Sequence, residues 1–295
     1  MNSATMGTST CGTVMLVLAT ILGPIVVVFL SVSFATDHWL KFEVDRKKYA
    51  TDDITSHTKS KTDIALARIA HTRNRGIFRE CYPTNDTEFL ARAPNVVDSY
   101  CFNIQYDIPE KTNLDYSTDY IARIHLMRCH LAFFIVAIVV FLLAYIFGLV
   151  LCCWRQSKWA YIAGLCAYIA AFSTAAAIAF FHGAEYLERN KINDAGQIYF
   201  YNQWPGAIQR NTERYYGWSY ALGWTGMVLA AFTATFYSLA GCYIGGERYE
   251  DREHLEKGRG RDYMDLSYPM ALDGPHPEHY YGHPRGRTNA RTLSV

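Results

Sequence analysis

Four long apolar stretches are set in otherwise polar sequence. Residues 12–35, 131–153, 159–181 and 219–245 contain no Asp, Glu, Lys or Arg, and each runs 23 to 27 residues. At about 1.5 Å per helical residue, each is long enough to cross a hydrocarbon layer roughly 30 Å thick. The pattern predicts an α-helical membrane protein with transmembrane helices at 12–35, 131–153, 159–182 and 219–245. The first stretch outlasts the apolar core of a cleaved signal peptide, about 7 to 15 residues, and no basic residue precedes it, so it reads as a retained span. The other three are too long and too free of charge for buried helices of a soluble protein.

Between the stretches the period changes. Segment 36–129 is far too long for a connector and predicts a folded domain. Within it "LKFEV" (40–44), "GIFREC" (76–81) and "SYCFNIQY" (99–106) are short, aromatic or β-branched, and bounded by turn residues. They read as strands of a small antiparallel sheet, to which "QIYFY" (197–201) in segment 183–218 adds another. In the third span Ala163, Ala167, Ala171, Ala175 and Ala179 recur every fourth residue beside Ala160 and Gly164, and Gly241 and Gly245 repeat the motif in the fourth. Small residues at this spacing let helix backbones approach closely in lipid, here within one chain. Trp154 and Trp159 flank one end of the spans and Trp204, Trp218 and Trp224 the other, as interfacial anchors do.

Four spans put 1–11, the loop 154–158 and the tail 246–295 on one side. That loop, "WRQSK", carries two basic residues and no acid, which favours the cytoplasm. On the other side Asn85-Asp86-Thr87 is a glycosylation sequon, which belongs to the lumen and then the cell exterior. Of eight cysteines, Cys81 and Cys101 alone lie well inside an outer segment. The topology points to a bond between them; two free thiols or zinc ligands are the alternatives, against which stand the lack of a CxxC and of a nearby His pair. Cys152, Cys153 and Cys242 fall beside the cytoplasmic face, where S-palmitoylation and plain packing both suit them.

"TDHWL" (36–40), "GIFREC" (76–81) with a second cysteine downstream, "DYIAR" (119–123) and "YGWSYALGW" (216–224) occur in that order. Together they resemble the claudin, peripheral myelin protein and calcium-channel gamma-subunit superfamily, over about residues 12–245. Its signature is W…GLW…C…C. Here Trp39 matches the first tryptophan, Gly76, Ile77 and Phe78 stand in place of Gly-Leu-Trp, Arg123 falls before the second span, and Cys81 and Cys101 match the disulfide pair. The resemblance implies a left-handed four-helix bundle bearing an extracellular β-sheet. Phe78 in place of tryptophan, the wide cysteine spacing and the long first loop point to the gamma-subunit branch, or to divergent invertebrate members such as the nematode Clc-like group.

No span contains a charged side chain where a pump would need one, and the sequence holds no P-loop, HExxH or GxSxG, so it predicts no enzyme, catalytic residue, metal or cofactor. His130 and His182 fall at outer helix ends and read as solvated interfacial residues. A net charge of +1 gives no reason to expect nucleic acid. The outer loop's acids and bases balance in number. Its Arg46-Lys47-Lys48 run and the series Arg68, Arg73, Arg75 and Arg79 read as a solvated surface, with an acidic partner as the other reading. The tail 246–295, rich in charge and proline, predicts disorder, and Leu293, Ser294 and Val295 have the form of a PDZ ligand. The expectation is a plasma-membrane protein with cytoplasmic termini, placed at cell junctions, that binds lipid, other membrane proteins and a PDZ scaffold. Its role reads as adhesion or surface organisation, with an auxiliary channel or receptor subunit as the alternative and a paracellular pore behind both.

Overall fold

The computed structural model describes residues 3–48, 64–83, 96–98, 100–107, 116–192 and 200–265. In chain order its elements are α1 (Ser3–Ala35), β1 (Leu40–Val44), α2 (Ile64–Ile69), β2 (Arg73–Arg75), β3 (Arg79–Cys81), β4 (Val96–Asp98) and β5 (Cys101–Asn103). There follow α3 (Thr118–Cys153), α4 (Ser157–Asn190), α5 (Gly206–Arg210), β6 (Thr212–Tyr216) and α6 (Trp218–Asp265). Helices α1, α3, α4 and α6 are long and apolar enough to cross a membrane.

These helices overrun the apolar stretches. α3 starts at Thr118, where the Ser117 side chain accepts the Tyr120 N–H at 3.2 Å and Asp119 complements the positive helix end. From there to 131 the sequence is amphipathic rather than apolar, and Ile124 and His130 face inward. α4 likewise continues past Phe181, with Ala184 and Glu188 buried. Both helices therefore carry side chains beyond their apolar runs. α6 runs through the first part of the segment expected to be disordered. An extension of an existing helix needs no new nucleus, and Lys257 pairs with Glu253 one turn back. The described residues from Glu250 onward belong to a unit of their own.

In α4 the buried stripe is Ala160, Ala163, Ala167, Ala170, Thr174 and Ala177. The four-residue repeat seen in the sequence leaves this face, because each such step advances about 40° around a 3.6-residue helix. Ala175 is only half-buried and Ala179 is exposed. Across the bundle, a Cβ on Gly148 of α3 would run into the Tyr237 hydroxyl of α6, so a side chain there would force the buried Tyr237 ring to move. One apolar cluster around Trp39, Phe134 and Ile178 fills the bundle near the sheet, and another around Leu151, Ala160 and Tyr237 fills its far half.

Among the described residues the sheet has six strands in the order β4-β5-β3-β2-β1-β6, every neighbouring pair antiparallel. β1 alternates as its sequence requires, with Leu40, Phe42 and Val44 buried and Lys41 and Glu43 exposed. Phe42 stands between Arg73 of β2 and Arg214 of β6 in the register. The expected strand at 76–81 is instead a turn and a strand. Gly76 opens the β2–β3 turn with its N–H donating to the Arg79 carbonyl at 2.8 Å, and a Cβ there would lie 2.5 Å from the Asp37 Cα. The strand expected at 99–106 shortens to β5. Of "QIYFY", residues 197–199 lie outside the described residues and Tyr201 opens a 3-10 turn. The strand in that segment is β6, "TERYY", whose exposed edge position hides the usual alternation.

Cys81 and Cys101 stand opposite each other on β3 and β5 and are disulfide-bonded across 20 positions of sequence. A loop of that size constrains the unfolded chain by about 3 kcal/mol. Replacing both with Ser is expected to lower the thermal midpoint accordingly. Reductant should lower the parent's midpoint and leave the double variant's unchanged.

Candidate functional site

The joint between sheet and bundle is the most chemically loaded part of the structure. Its apolar centre is Trp39, fully buried in the short link between α1 and β1. The indole N–H donates to the Ser33 carbonyl at 2.8 Å. His130, Phe134, Phe181 and Tyr220 meet the ring edge-on, with centroids 4.9 to 6.0 Å away.

Beside it lies a buried ion network. Glu188, in the last turn of α4, is 4 % exposed. Arg75 of β2 donates from Nη1 to both its oxygens, at 2.8 and 3.0 Å. Arg123 of α3 donates to Oε2 from Nη2 at 2.7 Å and from Nε at 3.1 Å. Arg214 of β6 donates to Glu185 at 2.9 Å and comes within 3.8 Å of Glu188. On the sheet side Arg75 Nε donates to Glu80 of β3 at 3.1 Å, Arg68 and Arg73 lie 3.5 Å from the same carboxylate, and the Tyr82 hydroxyl donates to it at 2.7 Å. Arg75 thus bridges two carboxylates, one in the sheet and one in a helix. The guanidiniums of Arg73, Arg214 and Arg75 also lie 4.3, 4.8 and 5.0 Å from the Phe42 ring centroid, so the cations have aromatic faces as well as anions.

Burial by itself would raise the Glu80 carboxyl, but Arg75, Arg73 and Arg68 outweigh it and pull it down to about 2. Burial would lower Arg75, yet Glu188 and Glu80 hold it above its ordinary value. A carboxylate depressed below its unfolded value stabilises the fold above that value, and the contribution fades as pH falls toward the folded one. Stability from Glu80 is therefore expected to be full above about 4.5 and to decline toward about 2. Thermal midpoints measured across that window test this. The Glu80→Gln variant should start lower at neutral pH and vary less within the window.

This geometry corrects two sequence readings. Arg68, Arg73 and Arg75 form neither a solvated surface nor a face for an acidic partner; they point inward, and Arg79 pairs with Asp37 at 3.1 Å. His130 is not solvated: it is 4 % exposed, with Nδ1 2.8 Å from the Ala177 carbonyl. His182 is partly buried and meets the Tyr220 hydroxyl at 2.9 Å.

The remaining candidate residues are placed as follows. Ile77 is buried, and Phe78 is exposed on one side while its ring meets Phe34 edge-on at 5.0 Å. Cys152, Cys153 and Cys242 are free and exposed, away from the sheet. Asn85, Leu293, Ser294 and Val295 lie outside the described residues. Among the described residues no group of three or more His, Cys, Asp or Glu could hold a metal ion. Sequence reasoning missed Glu80 and Glu188. A signal existed for the latter: continuing the small-residue stripe of α4 at 3.6 residues per turn leads through Ala184 to Glu188.

Comparison with curated proteins found no match. The family model for PMP-22/EMP/MP20/Claudin tight junction proteins matches residues 25–239, from within α1 to within α6. That match takes in the whole joint and well over half of the sequence, and the chain belongs to the PMP-22/EMP/MP20/claudin family.

Proposed function

We propose that this claudin-type membrane protein is a non-enzymatic organiser at the plasma membrane, with its sheet outside the cell and its termini in the cytoplasm. The observation that carries the reading is a fixed platform whose β6 has no further paired strand among the described residues. The buried network ties the sheet to α3 and α4, while β6 leaves Tyr215 and Tyr216 about half exposed next to Trp218. Exposed aromatics on a rigid scaffold suit recognition of another membrane protein, including a claudin-like neighbour or adhesion receptor. The sequon at Asn85 supports the orientation. Scaffold capture by the PDZ-like Leu293, Ser294 and Val295, and S-acylation at Cys152, Cys153 and Cys242, complete the proposal.

Cells expressing the chain, mixed with cells lacking it, provide the test. Enrichment at contacts between two expressing cells is expected, and Tyr215→Ala with Tyr216→Ala should remove it at unchanged surface level. Uniform surface distribution of the parent would refute adhesion. A second reading, an auxiliary subunit of a channel or receptor, draws on one feature of the exposed bundle surface. There Tyr168 of α4 and Thr235 of α6 form a hydrogen-bonded pair at 3.0 Å, a polar foothold for another helix. It predicts an altered channel current on co-expression without contact enrichment.

A further inference from the structure

At the end of the bundle away from the sheet, cations from three stretches of chain gather. Arg155, in the connection between α3 and α4, donates from Nη2 to the Thr13 hydroxyl of α1 at 3.0 Å. Arg248 of α6 donates from Nη2 to the Arg155 carbonyl at 3.3 Å. Lys158, in the first turn of α4, holds its Nζ 5.5 Å from the Trp159 ring centroid. All three residues are exposed. The chemistry differs from that of the joint, where Arg75, Arg123 and Arg214 bind carboxylates. Here a hydroxyl, a carbonyl and an aromatic face fix the cations in place, and none of these neutral groups cancels a charge.

Tryptophan sets the depth of this cluster. Trp154, next to Arg155, is 65 % exposed, and Trp159 stacks on Phe147 with centroids 5.8 Å apart. Indoles at the end of a membrane span sit at the level of the lipid headgroups, so the cations beside them meet phosphates. Guanidinium forks match phosphate oxygens in pairs, and an anion placed between like charges relieves their repulsion.

We propose that Arg155, Lys158 and Arg248 bind the headgroup of a membrane lipid that carries a phosphomonoester. Such a group bears a charge of about −1.5 to −2 at neutral pH and can answer more than one cation at once, whereas a phosphodiester bears a single charge. Arg155 and Arg248 supply the paired N–H donors, and Lys158 adds a point charge at the rim.

The test uses the full chain in phosphatidylcholine vesicles with spin-labelled phosphatidic acid, phosphatidylglycerol or phosphatidylcholine as the probe. The motionally restricted fraction of each probe gives its relative association with the protein. Because both leaflets carry the same lipid, the orientation of the chain does not enter. Phosphatidic acid is expected to associate about fivefold to tenfold more strongly than phosphatidylcholine at low salt, with phosphatidylglycerol well below it and the preference shrinking as salt rises. The Arg155→Gln, Lys158→Gln, Arg248→Gln triple variant changes only exposed positions, and should lose most of that preference at an unchanged thermal midpoint. Lys41→Gln, Lys47→Gln, Lys48→Gln removes the same charge from the sheet end and should keep the preference. Equal association of phosphatidic acid and phosphatidylcholine with the parent, phosphatidylglycerol matching phosphatidic acid, or a preference that survives the first triple variant would overturn the site.

Discussion

The Glu188→Ala variant is expected to lose about 3–5 kcal/mol of stability, the usual cost of removing one partner from a buried ion pair. The reason lies in what remains. Arg75 and Arg123 each donate two hydrogen bonds to this carboxylate, and both side chains are largely buried. With the carboxylate gone, Arg123 loses both of those hydrogen bonds and is left with Glu185, which already binds Arg214, whereas Arg75 keeps Glu80. The charge, rather than lost packing, should therefore dominate. Unfolding in detergent micelles, followed by tryptophan fluorescence, measures the loss, and surface biotinylation should report reduced delivery. The Glu188→Leu, Arg123→Leu double variant removes both members and should recover most of the stability, because apolar replacement of a whole pair is often neutral. A single Glu188→Ala variant as stable as the parent would remove the network from the account of how the sheet is held.

Trp39→Ala should cost a comparable amount, about 3–5 kcal/mol, by a different mechanism. The ring is fully buried, so its removal leaves a cavity at the top of the bundle and strips the Ser33 carbonyl of its donor. Four aromatic neighbours lose their shared contact. Trp39→Phe keeps most of the volume and should be clearly milder. Limited proteolysis locates the effect, since the variant should be cut first in the sheet while the spans remain protected. Equal protease resistance of parent and Trp39→Ala would show that the residue does not hold the sheet in place.

The membrane helices were legible because lipid imposes a demand that sequence displays directly: an uninterrupted apolar run of such length fits a bilayer and little else. β1 was legible for the same kind of reason, its alternation mapping one to one onto buried Leu40, Phe42 and Val44. The disulfide followed from which cysteines share a side of the membrane. The arginines were not legible. Arg75 and Glu188 stand 113 positions apart, and nothing local marks either as the other's partner. The series Arg68, Arg73, Arg75 and Arg79 read as a solvated surface, when the first three of its charges are matched by Glu80 and Glu188 inside the fold. β6 escaped notice because an edge strand with polar and tyrosine residues carries little periodic signal, and its stability comes from pairing with β1. At 76–81 the sequence showed an extended run, and only the close approach of Gly76 to Asp37 explains why it turns.

β1 follows α1 after four residues, and α6 follows β6 after one, while β1 and β6 are hydrogen-bonded neighbours. Two membrane rods thus end in adjacent, coupled strands with almost no slack between. Hydrophobic mismatch is relieved in part by helix tilt, so a bilayer thick or thin enough to lean α1 and α6 must swing the sheet with them. Bilayer thickness thereby becomes a mechanical input to the angle at which the sheet is presented.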